Sequence, residues 1–156
     1  MTLMDTESAP AGTVDDLCAP LARQRRRRPE GRDRYTISEV AAYAGLSAHT
    51  LRWYERIGLM PHVDRSHTGQ RRYTDRDLDW LDLVSRLRLT GMPVADMVRY
   101  AELVRLGEHT FPERERLLSA HRDDVRMRIA ELRSTLEVLD YKINTYADAR
   151  RASEGA

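Results

Sequence analysis

The chain has 156 residues, of which 41% are hydrophobic and 33% charged, and its formal net charge is +1. That length suits one domain, or a small domain with an extension, and the apolar share is enough for a core, which excludes wholesale disorder. No apolar run reaches the ~18 residues that span a bilayer, and no leader of charged, apolar and small residues opens the chain. A soluble cytoplasmic protein without a membrane partner is expected. Cys18 is the only cysteine, which excludes an internal disulfide and a thiolate metal cluster. Lys142 is the sole lysine, so the choice of Arg elsewhere carries little information about bidentate recognition. A balanced net charge says nothing about nucleic acid; the distribution of charge does.

Residues 1–34 lack apolar periodicity and end in a run of Arg from Arg23 to Arg28, broken only by Gln24. They read as a disordered, Arg-rich arm. Such an arm is either a solvated tail or a strengthener of phosphate binding that reads no sequence.

Residues 35–107 read as a compact, mostly helical domain. Tyr35-Thr36-Ile37 is β-prone, and Ser38 is the expected cap of a helix beginning at Glu39, with Val40, Ala41 and Ala44 on its apolar face. Gly45 ends that helix, and Ser47 caps a second one, Ala48 to Arg56. A short helix, a Gly-containing turn and a second capped helix make a helix-turn-helix pattern. Leu51 and Tyr54 can face a core, whereas His49, Thr50, Arg52 and Trp53 turn to other faces. A small residue, two hydrogen-bonding residues and an Arg near a helix start suit base edges and flanking phosphates in a major groove. Trp53 and Tyr54 can instead be plain core packing, and for Tyr54 that reading is the favoured one.

Gly58-Leu59-Met60-Pro61 stops the second helix. His62–Arg65 and Gln70–Tyr73 then flank the turn-prone Ser66-His67-Thr68-Gly69, which predicts a hairpin. It carries Arg65, Arg71 and Arg72. After a helix-turn-helix, a basic hairpin reads as a wing that grips the DNA backbone. Thr74, with Asp77 three residues on, opens a helix that Gly91 closes. Pro93 suits the first turn of a fourth helix, and Gly107 suits its end. The apolar stripes of both are core.

Residues 108–148 predict a long dimerisation helix with Thr110 as cap, and residues 149–156 a flexible tail. Val125, Ile129, Leu132, Leu136, Leu139, Ile143 and Tyr146 alternate steps of four and three, an a/d heptad seam. From Pro112 to Ala147 this helix is about 54 Å long, too long for its seam to be covered by so small a domain. A second copy of the chain is the simplest partner. In a parallel pair Arg128 faces Arg133 of the partner subunit. An antiparallel pair sets Leu136 on Leu139 of the partner subunit and Arg133 near Asp140 of the partner subunit, which favours that orientation.

The stretches Tyr35-Thr36-Ile37-Ser38-Glu39-Val40-Ala41, Gly45-Leu46-Ser47 and Thr50-Leu51-Arg52-Trp53-Tyr54-Glu55-Arg56-Ile57-Gly58-Leu59 resemble the start of MerR-family transcription regulators. The wing from Arg65 through Gly69 to Arg71-Arg72-Tyr73, and Gly91-Met92-Pro93, continue the resemblance, which covers about residues 35–147. It implies a mainly α fold, a winged helix-turn-helix followed by an antiparallel coiled-coil helix. It also implies a homodimer on a palindromic promoter operator, which deforms an over-long spacer so that RNA polymerase engages both promoter elements. Thr50, Arg52 and Trp53 then fall on the recognition helix. Arg65, Gly69, Arg71 and Tyr73 fall on the wing, joined there by His67 and Arg72. Trp53 stands where the family usually has Tyr, Thr68 and Gln70 replace residues commonly flanking the wing Gly, and Pro93 replaces a common capping Ser.

Sensing through thiolates is not expected, because Cys18 lies outside the part that resembles the family. The short stretch after Ala147 leaves no expected room for a separate effector domain. His109 and His121, with Glu108 or Glu113, do not define a metal ligand set, so neither metal nor cofactor is expected. No catalytic triad, phosphate loop or paired-carboxylate motif stands in a persuasive context, so no catalytic residue is assigned. The alternative to a DNA-binding regulator is a coiled-coil module that binds protein without reading DNA.

Overall fold

The structure is a computed structural model that describes residues 34–60 and 63–156. The Arg-rich arm, apart from Arg34, lies outside the described residues, as do Pro61 and His62. In chain order the elements are α1 (Ile37–Ala44), α2 (Ala48–Arg56), β1 (Asp64–Arg65), β2 (Arg71–Arg72), α3 (Asp75–Leu89), α4 (Val94–Leu106), one 3-10 turn (Glu108–Thr110) and α5 (Phe111–Glu154). The chain divides between Arg105 and Leu106 into two compact units.

In the first unit, α1 begins two residues before the expected start. Thr36, not Ser38, is its cap. Thr36 Oγ1 accepts the Glu39 amide at 3.3 Å, and Glu39 Oε2 accepts the Thr36 amide at 2.8 Å. The reciprocal box needs an acid three residues on. Thr36 has one in Glu39, whereas Ser38 has Ala41. Gly45, at φ 65°, then donates back to the Ala41 carbonyl and turns the chain. The left-handed conformation is one that Gly adopts at little cost. Ser47 Oγ accepts the Thr50 amide at 3.0 Å and starts α2, as its sequence predicts.

The wing is an antiparallel pair with Asp64 opposite Arg72 and Arg65 opposite Arg71. Its strands are shorter than the flanks suggest. Tyr35 and Tyr73 form an isolated bridge, with N–H to O distances of 2.7 and 2.9 Å, that ties the wing's base to the entry of α1. Thr74 and Asp77 make the expected capping box for α3, with Thr74 N–H on Asp77 Oδ2 at 2.8 Å. Pro93 precedes α4 rather than lying in its first turn, and its carbonyl accepts from the Asp96 and Met97 amides.

Val40, Leu51, Leu59, Val63, Leu78, Leu81, Val84, Met97 and Leu103 are fully buried and form the core of this unit. α1 packs on both α2 and α3. Trp80 on α3 stacks on Tyr100 of α4, with ring centroids 5.8 Å apart and planes 3° from parallel. Its Nε1–H donates to the Leu59 carbonyl at 2.8 Å, so one side chain joins both helices to the turn after α2. Arg105 Nη1 donates to the Gly58 carbonyl in the same turn at 2.7 Å.

In the second unit Thr110 occupies the cap position of α5, but its side chain makes no cap hydrogen bond. Its hydroxyl instead donates backwards to the Gly107 carbonyl at 2.7 Å and accepts from Arg114 Nε at 2.9 Å. The Arg114 guanidinium lies 4.7 Å from the Phe111 ring centroid. α5 runs unbroken for 44 residues to Glu154. Residues 149–154, read from sequence as part of a flexible tail, are therefore helical. Asp148, Arg150, Arg151 and Ser153 support that last stretch, with an Arg151–Asp148 ion pair and Ser153 Oγ donating to the Arg150 carbonyl.

The Tyr73 hydroxyl is fully buried and has no hydrogen-bond partner among the described residues. A buried, unpaired hydroxyl costs about 1–3 kcal/mol. Tyr73→Phe should therefore raise stability by about 1 kcal/mol, read as a higher melting temperature by circular dichroism. A lower melting temperature would mean that the hydroxyl is satisfied in solution.

Candidate nucleic-acid interface

α2 is anchored on one side and open on the other. Leu51 and Tyr54 are buried, and the Tyr54 hydroxyl accepts from Arg88 Nη1 at 3.1 Å. His49, Arg52 and Arg56 are exposed, and Trp53 is 37% exposed with its ring 5.6 Å from that of Tyr54. Thr50 is half-buried, and its hydroxyl shares a 2.9 Å hydrogen bond with Ser47 Oγ. Arg52 forms no hydrogen bond or ion pair among the described residues, so its guanidinium is free to take a phosphate or a base edge.

At the wing tip His67, Thr68, Gly69 and Gln70 are exposed. The Ser66 amide donates to the Gln70 carbonyl at 2.7 Å, and the Gly69 amide to the Ser66 carbonyl at 2.9 Å. Gly69 has φ 81°, which a side chain would strain. Arg65 Nη1 donates to the Gly69 carbonyl at 3.1 Å and braces the turn. Arg72 is half-buried.

Between α2 and the wing lies an open cleft of about 370 Å³, lined by Thr36, Ile37, Ser38, Arg52, Gly69, Gln70 and Arg71. Arg52 brings to it a guanidinium with no partner among the described residues, whereas Arg71 is paired there with Glu55 and the start of α1 with Glu39.

Two of the residues named as candidate DNA contacts are buried, Tyr54 in keeping with its core reading and Tyr73 against expectation. Tyr54 and Tyr73 are 3% and 0% exposed. They brace α2 and the wing base from within, and burial raises the Tyr73 phenol above its ordinary pKa. The sequence of α2 hides this distinction, because Trp53 and Tyr54 are adjacent aromatic residues that differ only in which side of the helix meets the core. Sequence reasoning also passed over Glu55. Its Oε2 accepts from Arg71 Nε at 2.6 Å, and its Oε1 lies 3.8 Å from Arg65 Nη2. The available signal was an acid standing among the basic residues of the helix and wing.

On α5, Val125 is half-buried, while Ile129, Leu132, Leu136, Leu139, Ile143 and Tyr146 are all exposed, Leu132 by 60%. Among the described residues the seam thus stands without a cover. Among the described residues no group of three or more His, Cys, Asp or Glu side chains is assembled for a metal, and no helix is long and apolar enough to cross a membrane.

Two family models match the chain. The MerR helix-turn-helix regulatory protein model covers residues 35–103, and the MerR DNA-binding model covers residues 78–141. A helix-turn-helix transcriptional regulator of Haemophilus influenzae is 42% identical over 116 residues, which are 74% of this chain and 86% of the relative. The chain belongs to the MerR family. It is a DNA-binding transcriptional regulator with a winged helix-turn-helix. Among solved structures, HiNmlR, a MerR family regulator lacking the sensor domain and bound to promoter DNA, is 42% identical with a TM-score of 0.69, covering 75% of this chain and 93% of that one. A MerR family regulator from Listeria monocytogenes is 37% identical with a TM-score of 0.68, covering 72% and 85%.

Arg52→Ala removes an exposed cation with no partner among the described residues, so its far-ultraviolet spectrum and melting temperature should match the parent. Loss of one base or phosphate contact should weaken DNA binding by about 1–3 kcal/mol, measured by fluorescence anisotropy. Unchanged affinity would remove Arg52 from the interface.

Proposed function

We propose that this MerR-family chain acts as a homodimer on a two-fold promoter operator, with α2 in the major groove and the wing on the flanking backbone. The observation that carries this reading is Arg52, unpartnered among the described residues, lining the cleft between α2 and the wing, in a chain whose other unit exposes a heptad seam. His49, Thr50, Arg52 and Trp53 contact base edges or the phosphates beside them. Arg65, His67, Gly69, Arg71 and Arg72 follow the backbone. The promoter-bound state of HiNmlR supports the same use of this chain.

Dimerisation runs through Val125, Ile129, Leu132, Leu136, Leu139, Ile143 and Tyr146. A fully buried aliphatic side chain contributes about 1.5–3 kcal/mol, so covering six exposed apolar residues is a strong drive to associate. In an antiparallel register Leu136 meets Leu139 of the partner subunit, Leu132 meets Ile143 of the partner subunit, and Arg133 comes near Asp140 of the partner subunit. A two-fold dimer requires half-sites about one helical turn, or a multiple, apart. Binding energy used to deform the spacer changes the promoter shape that RNA polymerase meets. The regulator works in the cytoplasm and has no catalytic role.

Leu132→Asp with Leu139→Asp should yield monomers in sedimentation equilibrium, because an unpaired carboxylate at a d position cannot be buried. A double variant that still sediments as a dimer would overturn the seam. Selection of duplexes from a random-sequence pool by the full chain should return an inverted repeat. Enrichment of no sequence would refute the operator reading.

A further inference from the structure

The wing sets two like charges face to face. Arg65 and Arg71 are direct cross-strand partners in the antiparallel register. Like charges at such positions repel and destabilise a hairpin, and this one has only two residues in each strand. Both guanidinium groups turn to the same carboxylate. Glu55, in the last turn of α2, accepts from Arg71 Nε at 2.6 Å and lies 3.8 Å from Arg65. Arg71 and Glu55 are only 21% and 24% exposed, so water screens the contact less than it screens a surface pair. Arg65 extends the linkage through its Nη1 to the Gly69 carbonyl at the wing tip.

We propose that Glu55 is a positioning residue for DNA recognition, which fixes the wing at a set distance and angle from the recognition helix. A carboxylate so near a DNA-facing cleft should otherwise be a liability, since it repels phosphate. Its presence is accounted for by preorganisation. Two cations that would splay the hairpin are held by one anion on the helix that reads bases. The side chains of α2 and the tip of the wing then meet groove and backbone in one register, and duplexes that do not match that register are refused.

This inference rests on the DNA-binding reading above, and the opposite signs of two effects separate it from simple electrostatics. A carboxylate that merely repels phosphate predicts that Glu55→Gln tightens binding to every duplex alike. A positioning carboxylate predicts tighter or unchanged binding to arbitrary sequence together with weaker binding to the preferred one. The test uses full-length parent and Glu55→Gln chains. Anisotropy is measured on a duplex enriched by the parent from a random pool and on a scrambled duplex of equal length and composition. The enriched duplex should bind about tenfold more weakly, as expected for losing one charge-assisted contact, with no loss on the scrambled one. Parallel tightening on both duplexes, or an unchanged ratio between them, overturns the proposal. A second readout needs no DNA. Amide exchange of Ser66 and Gly69, whose hydrogen bonds close the wing turn, should speed up about tenfold in Glu55→Gln and return towards the parent rate in Glu55→Asp, which keeps the charge. Unchanged wing exchange overturns the proposal even if the parent enriches no duplex, an outcome that would separately refute the operator reading. If Glu55→Gln fails to fold, Glu55→Ala, which also removes the carboxylate held by Arg71 and Arg65, must show the faster wing exchange and the reduced ratio, and parent-like values in that variant overturn the proposal.

Discussion

A nine-residue helix cannot stand alone in water, and α2, the helix proposed to read DNA, is such a helix. α1 packs on α2, and Arg88 of α3 donates to the Tyr54 hydroxyl, so neighbouring helices hold α2 by one side. Leu51 and Tyr54 sink into the core, Ser47 fixes the start, and Gly58 turns the chain away under the grip of Arg105. With one side committed to anchorage, the rest of α2 is left for polar and basic side chains. The short length is thereby useful: few residues need be rigid for the remainder to be presented accurately.

Charge is arranged along the same lines. The chain as a whole is nearly neutral, yet the cleft beside α2 gathers Arg52, Arg71 and a helix N-terminus. Acids lie where they stabilise structure: Glu39 and Asp77 in capping boxes, Asp75 and Asp82 accepting from the phenols of Tyr35 and Tyr43. Glu55 combines both demands, as an acid that stabilises structure at the edge of a cationic surface. Whole-chain charge conceals this arrangement because folding sorts the two signs onto different surfaces.

Much of this was legible in the residues themselves. Ser47 and the Thr74–Asp77 pair announce their helices through local hydrogen bonding, which depends little on what lies elsewhere in the fold. The heptad spacing from Val125 to Tyr146 is likewise a property of one helix. Misreadings arose where two local solutions competed or where distant packing decided. Thr36 and Ser38 are both competent caps, and Glu39 selects the first. Thr110 sits at a cap position, but Arg114 and the Gly107 carbonyl capture its hydroxyl. Tyr73 falls beside two wing arginines in sequence, yet the bridge to Tyr35 turns it inward. The Glu55 linkage joins residues 16 apart through tertiary structure, and no short motif records it.

The two tryptophans of the chain occupy contrasting environments. Trp53 lies partly open on α2, whereas Trp80 is stacked on Tyr100 with its indole N–H tied to a backbone carbonyl. Nature has thus equipped this regulator with two intrinsic optical probes. One looks outward to whatever the helix touches, and the other looks inward to the integrity of the packing behind it, so occupancy and unfolding can be followed separately in an unlabelled molecule.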